Sequence, residues 1–358
     1  MEQNNEVFAM LDLLTRGAFC VKNGIVVAVN EAAKKHAITT DLAVEDILLT
    51  GKQEYKNFQT GCLYLTLQLA GNAWGASVSA VGDFHVFVLE QEDDQAELQT
   101  MALAAQELRK PLTGIMTVAD QLFPLAEENS DPEFSDQVNR INRGLFQVLR
   151  IISNMSDAYR YSQNLTSSQQ TANICSVLQT IFDKAAPLIG HTGLTLQYTG
   201  ISESIYSLCD EEKLERAIHN ILSNAMKFSQ KGCTIHGQLT RNGNTLYLTV
   251  QSDLSDSETL PTDIYNRFRR EPGIEDSRFG LGLGMVLIRS AASAHGGTVL
   301  VEQSPELGYR LTMTLPIRQN STATVRSATL TVDYAGEWDH GLLEFSENLP
   351  SELYGNQN

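Results

Sequence analysis

The sequence predicts a multidomain α+β protein: a mixed N-terminal segment, a long helical hairpin, and a C-terminal domain of alternating helices and strands. Three observations carry this. Short strand-like runs flank an Asn-Gly turn near the start. An apolar repeat in steps of three and four runs through residues 98–159. Helical and strand-like periods then alternate over residues 172–317. The chain has 358 residues, enough for two or three domains at roughly 150 residues each.

Composition narrows the function classes. The net charge of −17 argues against a nucleic-acid or anionic-membrane binder and would suit a partner with basic patches. No apolar run approaches about 18 residues, so membrane insertion is not expected. The start, Met1–Glu6, is acidic and polar, unlike a signal peptide. The cysteines Cys20, Cys62, Cys175, Cys209 and Cys233 include no CxxC pair and are odd in number. They read as reduced, buried thiols of a cytoplasmic protein.

Residues 1–92 open with runs Ala18–Val21 and Ile25–Val29 around Asn23-Gly24, a hairpin signal. A helical stretch near 30–36 follows, then strand-like runs at 61–69, 75–81 and 84–89. A strand pair, short helices and a three-strand meander resemble a PAS sensor domain in pattern. Lone His36 and His85 read as structural residues rather than metal or haem ligands.

Residues 93–165 predict two helices. Leu98, Met101, Ala105, Leu108, Leu112, Ile115, Ala119 and Leu122 form a heptad seam that Pro124 ends. Asp131-Pro132 supplies an N-cap and a first-turn proline. Val138, Ile141, Leu145, Val148, Ile152, Met155 and Tyr159 repeat the seam. One apolar stripe per helix buries little alone. A second copy completing a four-helix bundle is the expected cover, and packing on the other domains is the alternative.

Within the first helix, Gln106-Glu107-Leu108-Arg109-Lys110-Pro111-Leu112-Thr113 resembles the phosphoacceptor box H-E-L-R-T-P-L-T of sensor histidine kinases. Gln106 follows the seam residue Ala105, so it points away from the bundle axis, as an acceptor must. A carboxamide, however, cannot take up a phosphoryl group as an imidazole nitrogen does. By the same resemblance Glu107 is the general base beside the acceptor, here with no imidazole to activate. Lys110 replaces the Thr or Asn that orients water for dephosphorylation of the partner. No histidine lies between His85 and His191 to substitute.

The C-terminal domain carries a second group. Leu214, Ile218, Ile221 and Ala225 form an apolar stripe, while Asn220, Asn224 and Lys227 recur at i, i+4 and i+7 on another face. Two carboxamides and an ammonium suit a phosphate chain with hydrated Mg²⁺. His219–Ser229 closely resembles the N box of histidine kinases and related GHKL ATPases. That resemblance implies that Asn224 holds the metal, Asn220 supports it and Lys227 contacts phosphate. Gly280, Gly282 and Gly284 precede a helix running to His295-Gly296-Gly297, a backbone arrangement suited to phosphate. With the strand Thr298–Glu302 they resemble the second glycine box. Ile264–Arg270 resembles the F box, which makes residues 271–280 the ATP lid.

One family element departs. The D-x-G-x-G turn, whose aspartate binds the adenine amino group, is replaced by Gln251-Ser252-Asp253-Leu254-Ser255-Asp256. The aspartate position falls on Ser252, and a shift of one residue restores Asp253 but not the glycines. Losing a charge-assisted hydrogen bond costs roughly 1.5–3 kcal/mol, about 10- to 100-fold in affinity. Binding of ATP and Mg is therefore expected to be weak or lost.

The resemblance implies four parts: a PAS-like α/β sensor (1–92), a HisKA-like dimerisation hairpin (93–165), a GHKL-type α/β sandwich (171–317) and a C-terminal extension (318–358). Polar Ser162–Thr171 reads as a linker, Thr322–Val332 alternates like a strand, and Leu342–Leu349 could form a helical turn. The extension is expected to pack on the ATP domain or to dock a partner. The expected function is that of a cytoplasmic two-component sensor-kinase homologue with degraded catalysis. It would act as a homodimer that regulates another histidine kinase or holds a response regulator. The alternative is an active ATP-dependent kinase that uses an unusual acceptor or phosphorylates a partner.

Overall fold

The computed structural model describes residue 11 and residues 14–90, 93–121, 132–162, 169–253, 283–304, 308–318 and 339–355. Leu122, Pro124, the Asp131 cap, the F-box and lid segments, Gly280, Gly282 and the strand expected at Thr322–Val332 lie outside the described residues.

Strands β1 (Ala18–Lys22) and β2 (Ile25–Val29) form the expected hairpin. Asn23 (φ 53°) and Gly24 (φ 79°) both take the left-handed conformation that a tight two-residue turn demands. Short helices α1 (Glu31–Lys34), α2 (Val44–Ile47) and α3 (Lys52–Asn57) follow. The side chain of Asn30 caps α1 by accepting from the Ala33 N–H at 2.9 Å. The meander is β3 (Cys62–Leu69), β4 (Asn72–Val81) and β5 (Phe84–Leu89). Phe19, Val21, Phe87, Leu63, Leu65 and Leu67 fill the core beneath these helices.

Helices α4 (Asp93–Asp120) and α5 (Pro132–Ser162) form the helical hairpin. Pro111 lies inside α4 without ending it. The expected seam divides. Leu98, Ala105, Leu112 and Ala119, spaced by seven, are buried within the chain, as are Val138 and Ile152. The alternating set stays open: Leu108 is 51% and Ile115 54% exposed, with Ile141 and Val148 exposed across the hairpin. Each helix thus spends part of its seam inside one chain and leaves Leu108, Ile115, Ile141 and Val148 uncovered there.

The C-terminal domain contains β6 (Gln170–Asn173), α6 (Ile174–Gly190), β7 (Thr195–Thr199), β8 (Tyr206–Cys209), α7 (Glu211–Phe228), β9 (Thr234–Asn242), β10 (Thr245–Ser252), α8 (Leu283–Ala294), β11 (Val299–Ser304) and β12 (Gly308–Pro316). Alternation is clean along β10, where Leu246, Leu248 and Val250 face the helices. Thr171, read as linker, instead lies in β6, which pairs with β8 in a small two-stranded sheet.

The two sheets are continuous. The order is β2-β1-β5-β4-β3-β11-β12-β10-β9-β7, ten strands in all. The junction pairs β3 with β11 antiparallel through Tyr64↔Val299, Leu63↔Leu300 and Cys62↔Val301. Joining them satisfies one edge of each sheet. Strand β3 consequently serves two cores: Leu63, Leu65 and Leu67 face the N-terminal core, and Cys62 and Tyr64 face the C-terminal one.

The end of the chain also joins this core. Helix α9 (His340–Glu344) and a 3₁₀ turn at Ser351–Tyr354 bury Leu342, Leu343, Phe345, Leu349 and Tyr354. This segment packs on both α5 and α7, so it bridges the hairpin and the C-terminal domain and does not dock on one alone.

Gly61 sits at the sheet junction with φ 86°, and a Cβ there would lie 2.3 Å from the Val301 carbonyl oxygen. Gly61→Ala is expected to part β3 from β11. A left-handed alanine costs about 1–2 kcal/mol, so amide exchange at Val299–Val301 should speed up about tenfold or more. Unchanged exchange there would show that the junction does not depend on this approach.

Candidate functional site

Helix α7 starts at Asp210, whose side chain accepts from the Lys213 N–H at 3.2 Å. The sequence suggests one apolar stripe and a separate polar face suited to phosphate. In the structure both faces are covered: Arg216, Asn220 and Ser223 on the polar side are also buried. The covering elements are α8, the C-terminal segment and, through Arg150 and Asn154, α5.

Arg216 is fully buried and needs matching anions. Its Nη2 lies 2.6 Å from Asp157 Oδ2 and donates to Asn154 Oδ1 at 3.1 Å, both on α5. Its Nη1 pairs with Glu344 of α9, itself fully buried. Arg150 of α5 adds a second cation, its Nε 3.3 Å from Glu344 Oε2. Sequence reasoning missed this network. An arginine on the carboxamide face of α7 was its one local sign.

The predicted nucleotide residues partly converge. Asn220 Nδ2 donates to the Arg216 carbonyl at 2.9 Å. Its Oδ1 faces Gly284, where a Cβ would lie only 2.7 Å away. Gly284 therefore allows α8 to approach α7 at Asn220. Asn224 Nδ2 contacts Met285 Sδ at 3.8 Å. Lys227 is not directed at open space: its side chain is 11% exposed and pairs with Glu347.

Ser252, at the family's adenine-aspartate position, ends β10 and is buried, while Asp253 is exposed. The Ser252 hydroxyl has no hydrogen-bond partner among the described residues. Buried Tyr309 lies opposite Ser252 in the β10–β12 register, and its ring packs near Phe228. Nothing in the sequence pattern had singled out Tyr309 or Met285.

On α4, Gln106 and Glu107 are exposed, as expected for the acceptor position, and Lys110 is exposed one turn on. Arg109 Nη2 reaches Ser153 Oγ on α5 at 3.5 Å. Among the described residues no His/Cys/Asp/Glu group has the form of a metal site. No helix among them is long and apolar enough to cross a membrane.

Two buried histidines brace this domain. His219 packs edge-on against Phe345, and burial holds its pKa below the usual imidazole value. His295 Nε2 accepts from the Asp210 N–H at 3.1 Å, and Nδ1 donates to the Ala291 carbonyl at 2.7 Å. Burial lowers its pKa too. Both are neutral in the fold, whereas the unfolded chain takes up protons below about pH 6.5. Stability present above that pH is therefore lost as pH falls. From pH 8 to 5.5 the two should remove at most about 2–3 kcal/mol, read from urea midpoints. His219→Phe, which keeps a ring against Phe345, should cut that loss roughly in half. An unchanged loss would show that His219 does not titrate in this way.

Comparison with known proteins places these elements. Residues 96–164 match the family described as His Kinase A (phospho-acceptor) domain. Residues 209–319 match the family described as histidine kinase-, DNA gyrase B-, and HSP90-like ATPase. Hybrid signal transduction histidine kinase D of Dictyostelium discoideum is 26% identical over 64% of this chain and 15% of its own length. Alginate biosynthesis sensor protein KinB of Pseudomonas aeruginosa is 25% identical over 68% of this chain and 41% of its own. Sensor histidine kinase CusS of Escherichia coli K12 is 27% identical over 59% and 44%. The chain thus spans less than half the length of each of these relatives. Among solved structures, full-length ShkA in complex with AMPPNP has a TM-score of 0.48 at 20% identity, covering 63% of this chain and 47% of that one.

Proposed function

We propose that this chain, a member of the two-component sensor histidine kinase family, works as a regulatory dimer that cannot accept phosphate on its own hairpin. The observation that carries the reading is the exposed carboxamide of Gln106 at the acceptor position of an unbroken helix. An amide lacks the nucleophilic ring nitrogen that phosphoryl transfer to a histidine needs. Glu107 stands beside it with no imidazole to deprotonate.

The division into a PAS-like sensor (1–92), a dimerisation hairpin (93–165), an ATP domain (171–317) and an extension (318–358) belongs to this reading. So does homodimerisation. Leu108 and Ile115 on α4, with Ile141 and Val148 on α5, form an exposed apolar face suited to a second hairpin. A response regulator or another histidine kinase is the partner class. Location in the cytoplasm is supported by the free thiols of all five cysteines.

The residues present fit ATP in reduced form. The orphaned Ser252 hydroxyl can accept from an adenine amino group, replacing the charged acceptor of the family with a neutral one. Asn224 is the residue for Mg²⁺, with Asn220 beside it, and Gly284 keeps α8 close to both. Gly280 and Gly282 complete the proposed phosphate backbone. Bound ATP would supply a transferable phosphoryl group. The retained asparagines keep a second reading open, in which that group goes to a partner's histidine.

The test is labelled-phosphate incorporation from ATP-Mg²⁺ into wild type and Gln106→His. We expect no label above background in wild type and clear labelling of Gln106→His. Labelled wild type would overturn the regulatory-dimer reading. Absence of label in both variants, together with no binding of a fluorescent ATP analogue, would remove ATP from the account.

A further inference from the structure

The last described segment does more than fill a core. Glu347 lies two residues beyond Phe345, the side chain that anchors the segment on His219. Its carboxylate pairs with Lys227 and also sits 3.0 Å from Arg150 Nη1. Lys227 is the ammonium that the nucleotide reading assigns to phosphate. The neighbouring Asn348 Nδ2 donates to Ser223 Oγ at 3.3 Å, so the segment runs alongside the residue preceding Asn224.

The backbone of the segment is held independently. Arg143 donates from Nε to the Ser346 carbonyl and from Nη2 to the Glu347 carbonyl, each at 3.0 Å. Gln147 Nε2 donates to the same Ser346 carbonyl at 3.0 Å. These donors all belong to α5, and the lysine belongs to α7. The segment therefore binds two domains at once, and its one carboxylate facing Lys227 stands where a phosphate's charge is needed.

We infer that the segment Asp339–Gly355 is an intramolecular competitor for nucleotide, with Glu347 acting as a surrogate for phosphate charge on Lys227. The inference rests on the proposed ATP site. A nucleotide whose phosphate takes Lys227 must first separate it from Glu347, so segment docking and nucleotide binding oppose each other. By reciprocity, nucleotide loosens the segment to the same degree that the segment weakens nucleotide. Since Arg150 also contacts Glu347, release of the carboxylate would remove one of its two anions, leaving Glu344 and the Ser223 hydroxyl, and weaken the clamp between α5 and α7.

The experiment is a fluorescent ATP analogue with Mg²⁺ titrated into the full chain as wild type, Glu347→Gln, Lys227→Ala and the double variant. Gln preserves the size of Glu347 and leaves its backbone carbonyl to Arg143. Glu347→Gln is expected to tighten binding about five- to twentyfold. The double variant should bind no tighter than Lys227→Ala. Equal affinity of wild type and Glu347→Gln would overturn the inference and leave the ATP site standing. No binding by any of the four proteins would overturn both. Hydrogen exchange of wild type gives a readout free of any substitution. Amides of residues 346–349 should exchange faster with saturating analogue, and unchanged or slower exchange would overturn the competition.

Discussion

Arg216 is a cation with no access to water, and the fold around it is arranged to answer that charge. Desolvating a guanidinium costs several kcal/mol, and only close anions with good geometry offset it. Asp157 comes from α5 and Glu344 from α9, two elements far away in sequence. If either anion moved, an uncompensated buried charge would remain. The network therefore fixes where the hairpin, α7 and the C-terminal segment sit relative to one another.

Much else follows from that placement. With α5 held against α7 and α8, part of the heptad seam is spent inside one chain, leaving Leu108, Ile115, Ile141 and Val148 uncovered there. The ATP domain is tied from its other end as well, through the β3–β11 junction. A polar contact accompanies that junction. Tyr64 donates to Glu90 Oε2 at 3.3 Å, and Arg289 of α8 lies 3.7 Å from the other oxygen. Glu90 stands between the N-terminal sheet and α4, so α8 touches the chain as it leaves that sheet. The site is thus bordered by two intramolecular attachments rather than exposed on a free domain.

How much of this was legible depended on the range of the interaction. The Asn23-Gly24 hairpin was readable because two adjacent residues must both adopt positive φ. The heptad seams were readable because a seven-residue period is local, though the period says nothing about which half a neighbour covers. Helical spacing put Asn220 and Asn224 on one face, and in the fold Asn220 lies against Gly284 and Asn224 against Met285. The sheet junction left no trace, since edge-strand pairing uses backbone groups that every residue carries. The partners of Arg150, Arg216 and Lys227 were hidden for a related reason. Glu344 and Glu347 lie in a stretch expected to pack on the C-terminal domain or a partner, but nothing local names the cations they meet, and only folding carries them more than a hundred residues back onto α5 and α7. The burial of the polar face of α7 was invisible on the same ground.

The claim that the Arg216–Glu344 pair holds the domains together is most directly tested by a double-mutant cycle in denaturant. Arg216→Met and Glu344→Leu would be measured singly and combined. Each single change unbalances the buried charges, leaving Glu344 with Arg150 or Arg216 with Asp157, and should cost about 3–5 kcal/mol. The combined change replaces both with apolar groups and should recover at least about 2 kcal/mol relative to the sum of the singles. Additive losses, or single losses below about 1 kcal/mol, would contradict the account and place the cohesion of the domains elsewhere.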